Sequence, residues 1–291
     1  MTDEAPVMIM AGGTGGHVFP ALAVAEWLRR RDVPVVWMGT RRGLEATLVP
    51  KAGIPVEWIG VAGLRSSGWR RGLMAPVMLA QALGQAAVAL GRCRPRVVLG
   101  MGGFVSGPGG LMAWLRRIPL VIHEQNAVAG LTNRWLARFA DQVLEAFPDS
   151  FPAARHARCT GNPVRQAIAD LLPPAARFAG RRGPARLLVV GGSQGALALN
   201  QLVPQALARL PERPEVWHQA GGRLLEAART AYAQAGVSAR LEPFIDDMAG
   251  AYGWADLVLC RAGALTVAEL AAAGVGAVLV PFPYAVDDHQ T

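Results

Sequence analysis

Lysine is nearly missing from this chain: Lys51 is the only one, and arginine supplies the rest of the 29 basic residues. Acids are missing more locally. None occurs between Glu57 and Glu124, the stretch that holds Arg65, Arg70, Arg71, Arg92, Arg94, Arg96, Arg116 and Arg117. Compositional bias explains arginine in place of lysine, but it does not explain the missing acids. Residues 1–160 hold 18 basic and 10 acidic residues, 18 − 10 = +8, whereas residues 161–291 hold 11 of each. A surface of one sign seeks an anionic partner, either nucleic acid or anionic lipid.

Cysteine is scarce as well. Cys93, Cys159 and Cys260 form no CxxC and meet no paired histidines, which argues against zinc and a disulfide framework and fits a reducing cytoplasm. The start, Met1-Thr-Asp-Glu, has no apolar signal-peptide core. One stretch, Leu73–Leu90 with its flanking glycines, gives 20 residues without charge, the length of a membrane span. Its alanines contribute little to insertion, Pro76, Gln81 and Gln85 interrupt it, and a βαβ crossover is expected there. The expectation is a helix resting at a lipid interface near Trp69 and the arginines.

What is present is a repeated grammar of strand, glycine turn and helix. Leu187–Val190 is a short branched apolar run, as in a buried parallel strand. Gly191, Gly192 and Gly195 follow, with Ser193 as the expected N-cap of the next helix. Val7–Met10, the loop Ala11–His17 and a helix from Val18 to Arg30, with Pro20 in its first turn, repeat the pattern roughly 180 residues earlier. Such turns aim N–H groups and a positive helix end at phosphate. Further strands at Val33–Met38, Val56–Ile59, Val97–Gly100, Leu120–His123, Gln142–Phe147, Val216–Gln219, Arg240–Phe244, Leu257–Cys260 and Ala277–Val280 alternate with helical stretches. The Pro173–Pro184 region reads as a loop, and Thr160-Gly-Asn-Pro-Val-Arg165 as a linker. The class is α/β, with two nucleotide-fold halves, residues 1–160 and 161–291, facing a cleft.

Dinucleotide binding fails on spacing. A G-x-G-x-x-G that starts at Gly13 meets Val18 at its last position, and those starting at Gly102 and Gly191 meet Phe104 and Ser193 at their second glycine. No acid ends the second strand to hold a ribose; Arg41 and Arg42 follow Thr40. The pairs Asp246-Asp247 and Asp287-Asp288 lack the further oxygen ligands that Mg²⁺ wants and read as loop and capping acids. No metal and no other cofactor is expected. The chain also shows no RNP-like or helix-turn-helix pattern, which argues against nucleic acid.

The stretches GGTGGHVFPALAVA, GMGGFVSGPGG, HEQNAVAGLTN, GNPVR, VVGGSQGA, FIDDM, RAGALTVAEL and VDDHQT, in this order, resemble the MurG family of bacterial cell-wall glycosyltransferases. The resemblance implies a GT-B fold of two Rossmann-like domains. It implies transfer of N-acetylglucosamine from UDP-GlcNAc to the 4-hydroxyl of MurNAc in lipid I, giving lipid II. It further implies a peripheral enzyme on the cytoplasmic face of the inner membrane, with cell-wall synthesis complexes as partners. Family members continue for several tens of residues past the position of Gln290, so a C-terminally truncated donor domain is expected.

The implied donor residues are Thr14, Gly15, Gly16, Asn126, Arg165, Ser193, Ile245, Ala264, Leu265, Thr266, Val267, Ala268, Glu269 and Gln290. Ser193 and Arg165 would meet phosphate, Ile245 with the Ala264–Leu265 backbone would cradle uracil, and Glu269 would accept ribose hydroxyls. Asn126 and Gln290 would read the sugar. The attacking hydroxyl needs a base, and imidazole titrates close to neutral pH. His17 is one candidate, equally readable as a donor to the acceptor diphosphate, and Glu124 is its rival. Trp69, Arg70, Arg71, Leu79, Trp114, Arg116 and Arg117 form the expected patch for anionic inner-leaflet lipid.

Overall fold

The computed structural model describes residues 5–60, 69–192 and 195–282, with the backbone alone for 69–75. The chain divides into two compact units, Met1–Pro163 and Val164–Thr291.

In the first unit, strands β1 (Val7–Met10), β2 (Val35–Gly39), β3 (Val56–Trp58), β4 (Val97–Gly100), β5 (Leu120–Glu124), β6 (Gln142–Glu145) and β7 (Arg158–Cys159) form one sheet. Their order is β3-β2-β1-β4-β5-β6-β7, and every pairing is parallel. The helices are α1 (Gly15–Arg29), α2 (Glu45–Lys51), α3 (Trp69–Cys93), α4 (Ser106–Leu115) and α5 (Leu131–Leu136). Strand side chains alternate between faces, so Met8, Met10, Met38, Val98 and Ile122 pack on the side with α3, α4 and α5. Val7, Ile9, Val35 and Trp37 pack on the other with α1 and α2. Burial on both faces is why these strands read as continuous apolar runs.

The second unit repeats the plan with α6 (Gln166–Ala169), α7 (Pro174–Phe178), β8 (Arg186–Val190), α8 (Leu197–Leu207), β9 (Glu215–Gln219), α9 (Leu225–Gln234), β10 (Arg240–Glu242), α10 (Met248–Trp254), β11 (Leu257–Arg261), α11 (Ala264–Ala273) and β12 (Gly276–Val280). Its sheet is also parallel, in the order β10-β9-β8-β11-β12.

Several expectations need correction. Helix α1 begins at Gly15 rather than Val18, so Pro20 sits in its second turn. The glycines at 15 and 16 are helical because the dipole end and the tight turn share one segment, which hides the start from a propensity reading. Helix α8 starts at Leu197 with Ala196 in the N-cap position; Ser193, the expected cap, lies outside the described residues. The Pro173–Pro184 region contains α7, with proline at its first position, where a missing N–H costs nothing.

Candidate active site

Strand order reverses between β1 and β4, which opens a crevice beyond their C-terminal ends. Two glycine loops fill it. A Cβ on Gly103 would overlap the Gly12 carbonyl, and one on Gly102 would come within 2.7 Å of Nδ1 of His17. Both have positive φ, +94° at Gly102 and +82° at Gly103. The close approach and the left-handed backbone thus demand glycine together. The Ser106 hydroxyl lies 3.0 Å from the Met10 carbonyl and 2.8 Å from that of Gly102, joining the loops.

The first loop is held from below by Glu45, which is fully buried. Its Oε2 accepts from the Gly13 N–H at 2.9 Å, and its Oε1 accepts from the Thr40 hydroxyl at 2.7 Å and the Thr40 N–H at 3.2 Å. Trp37 Nε1 donates to the Ala11 carbonyl at 2.9 Å. Thr14 is the N-cap of α1 without a side-chain cap bond, and the first turn holds no acid. The first turn, through Gly15 and Gly16, therefore has no capping side chain of its own.

His17 stands in that turn, half-buried, with Nδ1 3.0 Å from Oε1 of Gln125. Gln125 Nε2 lies 3.1 Å from both Nδ1 and the carbonyl oxygen of His123, and His123 Nε2 lies 3.0 Å from the Gly161 carbonyl. Burial pushes the His123 imidazole below its usual range, although the Gly161 carbonyl and Glu124 oppose this. Glu124 is buried with four donors on its carboxylate. Oε1 accepts from the Asn126 N–H at 3.0 Å and Asn126 Nδ2 at 2.9 Å, and Oε2 from the Gly130 N–H at 3.1 Å and Asn133 Nδ2 at 2.9 Å. A carboxylate has about four acceptor positions, so these fill it.

In the second unit the reversal falls between β8 and β11. Gly195, at φ +77°, packs where a Cβ would overlap the Ala220 carbonyl. Gln219, at the end of β9, donates from Nε2 to the Gly192 carbonyl at 2.9 Å and accepts the Ile245 N–H on Oε1 at 3.4 Å. It thereby ties the glycine loop to the Ile245 segment. Helix α11 starts after Gly263 with no cap bond and no acid in its first turn. Ala264, Leu265, Thr266, Val267 and Ala268 are half-buried there, and Glu269 is buried one turn further in. Glu269 Oε1 accepts from Arg165 Nε at 3.1 Å and Nη2 at 2.8 Å, and Oε2 accepts from the Tyr252 hydroxyl at 3.2 Å. Burial foremost, then Glu269, raises the Tyr252 phenol well above its usual range and keeps it a donor.

Thus Thr14, Gly15, Gly16, His17, Glu124 and Asn126 gather in the first unit, and Arg165, Ile245 and Ala264 to Glu269 in the second. Ser193 and Gln290 lie outside the described residues. Among the described residues no three His, Cys, Asp or Glu side chains gather as metal ligands. Asp247 caps α10 through the Gly250 N–H at 2.8 Å, while Asp287 and Asp288 lie outside the description. Sequence reasoning gave no role to Glu45, Gln125, Gln219 or Tyr252. Only Gln125 carried a signal, as part of a polar run after a strand.

On the α3, α4 and α5 side of the first unit, Leu79, Trp114, Leu131 and Trp135 are exposed. Phe139 lies between Trp114 and Trp135, with ring centroids 4.7 Å and 5.1 Å away. Arg116, Arg117, Arg134 and Arg138 are exposed around them. The side chains of Trp69, Arg70 and Arg71 lie outside the description. Among the described residues no helix is long and apolar enough to cross a membrane.

Residues 7–145 match the glycosyltransferase family 28 N-terminal domain, and residues 186–291 match the family 28 C-terminal domain. The chain is 66% identical over 286 residues to the UDP-N-acetylglucosamine--N-acetylmuramyl-(pentapeptide) pyrophosphoryl-undecaprenol N-acetylglucosamine transferase of Nitrosococcus oceani, covering 98% of this chain and 80% of that one. It is 65% identical over 288 residues to the enzyme of the same name from Alkalilimnicola ehrlichii, with the same coverage. The crystal structure of Acinetobacter baumannii MurG superposes with a TM-score of 0.77 at 44% identity, covering 99% of this chain and 81% of that one. With a parallel Rossmann-like sheet in each unit and both family domains in sequence, the chain belongs to the MurG family of glycosyltransferase family 28, N-acetylglucosaminyltransferases of the GT-B fold.

Proposed function

We propose that the chain moves N-acetylglucosamine from UDP-GlcNAc to the 4-hydroxyl of the N-acetylmuramyl residue of lipid I, with inversion at the anomeric carbon, giving lipid II and UDP. The observation that carries this reading is His17. It is an imidazole in the first turn of α1, beside an uncapped helix end and against the Gly102 turn.

His17 takes the proton of the attacking hydroxyl as the new bond forms. Glu124 is the weaker candidate for that role, because its four donors already occupy it; it holds the loop that carries Asn126. Thr14, Gly15 and Gly16 turn N–H groups and the positive end of α1 towards acceptor diphosphate or donor sugar. The second unit holds the donor. The start of α11 and the Ile245 segment take the uracil, Glu269 takes ribose hydroxyls, and Ser193 with Arg165 meets the pyrophosphate. Asn126 and Gln290 read the sugar. Charge that develops on departing UDP is met by fixed N–H groups and Arg165, so the reading assigns no step to a metal.

The acceptor hangs from a polyprenyl chain, so the enzyme must work at a bilayer. The aromatic and arginine surface of α3, α4 and α5 suits docking on anionic lipid at the cytoplasmic face, without a membrane span. Cell-wall synthesis complexes follow as partners from that location, and nucleic acid does not. The test is transfer of labelled GlcNAc to lipid I by the chain and by His17→Ala. Loss of general-base catalysis lowers kcat about 10²–10⁴-fold with UDP-GlcNAc affinity unchanged; equal loss in both would place His17 in binding.

A further inference from the structure

We propose that Gln125 and His123 are positioning residues that lock His17 in its Nδ1–H tautomer, so that Nε2 presents the lone pair to the acceptor hydroxyl. The inference deepens the reading of His17 as the base and rests on it for its catalytic meaning.

The argument starts at the far end of the chain of contacts, where there is no freedom. The Gly161 carbonyl can only accept, so His123 Nε2, 3.0 Å away, carries the hydrogen. His123 is buried and neutral, since burial disfavours its charged form. Its Nδ1 is then an acceptor. The His123 backbone carbonyl is also only an acceptor. Gln125 places one atom 3.1 Å from both, and that atom must be its amide nitrogen, whose two hydrogens serve the two acceptors. The reversed amide would set its oxygen against the carbonyl oxygen. With the orientation fixed, Gln125 Oε1 is the atom 3.0 Å from His17 Nδ1, and an amide oxygen only accepts. His17 Nδ1 therefore carries the hydrogen, and the lone pair of the neutral ring sits on Nε2.

Three further features hold this state. Gln125 is 1% exposed and His123 is 3% exposed, so water does not replace a member of the relay. Gly102 lies against the Nδ1–Cε1 edge of His17, where even a Cβ would be too close. The Asn162 side chain fixes the relay from outside, with Nδ2 donating to the Gln125 carbonyl at 3.0 Å. A free histidine side chain favours the opposite tautomer, with the hydrogen on Nε2. The relay reverses that preference. A base must offer a lone pair rather than a hydrogen to the proton it removes, so the tautomer decides whether His17 can act.

The experiment is long-range ¹H–¹⁵N correlation on the full chain labelled with ¹⁵N-histidine. The five histidines make few signals, and His17→Gln identifies the one that matters. Neutral His17 is expected with hydrogen on Nδ1 and His123 with hydrogen on Nε2. Gln125 Oε1 supplies the acceptor opposite Nδ1. Gln125→Met removes it and should shift His17 towards Nε2–H, with kcat down at least about ten-fold and the KM for UDP-GlcNAc changed less than about three-fold. Nε2–H on His17 in the unaltered chain overturns the proposal without recourse to any variant. So does a folded Gln125→Met chain whose His17 tautomer is unchanged. If His17 is Nδ1–H but His17→Ala turns over normally, the base reading fails while the relay stands.

Discussion

Arg165 donates two N–H groups to one carboxylate oxygen of Glu269, and the Tyr252 hydroxyl donates to the other. The arrangement takes three of about four acceptor positions and leaves room on Oε2 for one more donor. In the proposed complex a ribose hydroxyl would take that position without breaking the ion pair. Breaking a buried pair from one side costs about 3–5 kcal/mol. Glu269→Ala should therefore lower the stability of the second unit by roughly 3 kcal/mol and UDP-GlcNAc affinity at least about ten-fold. Tyr252→Phe removes one hydrogen bond and should cost about 1 kcal/mol with affinity nearly kept. Calorimetric titration and thermal unfolding of both variants test this, and equal effects on affinity would remove Glu269 from the ribose. Because N–H groups and Arg165 are assigned the pyrophosphate, EDTA should leave the titration unchanged.

Glu45 makes a complementary prediction for the first unit. Three donors, the Gly13 N–H, the Thr40 N–H and the Thr40 hydroxyl, converge on a carboxylate that water does not reach. Glu45→Ala strands them and should destabilise the first unit by about 1–3 kcal/mol for each donor left unsatisfied. In a chain that still folds, turnover should fall with UDP-GlcNAc affinity intact, since the residues assigned to uridine in the proposed function lie in the other unit. A matching loss of UDP-GlcNAc affinity would show that the first glycine loop holds the donor.

Sequence patterning and structure agree where the physics is local, and part where it is not. Strands β1, β2 and β8 are apolar runs buried on both faces, and glycine turns follow β1, β4 and β8; each of these features leaves its own trace in the chain. Helix starts were less legible. Gly15 and Gly16 have poor helix propensity, yet they open α1 because the loop before them must turn there. Glu45 looked like any surface acid beginning a short helix. Only the fold brings Gly13, 32 positions away, onto its oxygen. Tyr252 and Gln219 were invisible for the same reason, since their partners are 17 and 26–27 positions away in sequence. His17 was visible by its place at the tip of a glycine loop. Its tautomer required three residues from two other segments.

His218 sets an acid limit on the second unit. Its ring is fully buried, with Nδ1 2.9 Å from the Tyr232 hydroxyl and no partner for Nε2 among the described residues. Burial pushes its pKa from 6.5 down to about 4. Below about pH 6.5 the unfolded chain binds a proton that the folded chain refuses. The stabilisation is full above that pH and is lost as pH falls towards 4, by about 3 kcal/mol in all. His218→Phe keeps the ring volume and removes the titration. In thermal unfolding from pH 7 to pH 4 the wild-type chain should lose about 3 kcal/mol of stability relative to His218→Phe. Parallel curves would mean that His218 is protonated in the folded unit.

The aromatic cluster of Trp114, Trp135 and Phe139 supplies the last prediction, because its two chemistries separate cleanly. Trp114 and Trp135 pack on Phe139 and are themselves exposed, while Arg134 and Arg138 stand beside them on and just after α5. Each arginine near an anionic bilayer contributes about 1 kcal/mol, screened within a Debye length. Arg134→Glu with Arg138→Glu should weaken binding to vesicles containing phosphatidylserine by at least about ten-fold. The loss should shrink as salt rises, with no change on neutral vesicles. Trp114→Ala should weaken both kinds of binding, since an interfacial indole inserts whatever the headgroup charge. Vesicle co-sedimentation reads both effects. If the charge reversal leaves binding to anionic vesicles unchanged, the arginines serve some other anion and the electrostatic half of the docking surface is lost. If Trp114→Ala alone is silent, the aromatic face is not the part that enters the bilayer.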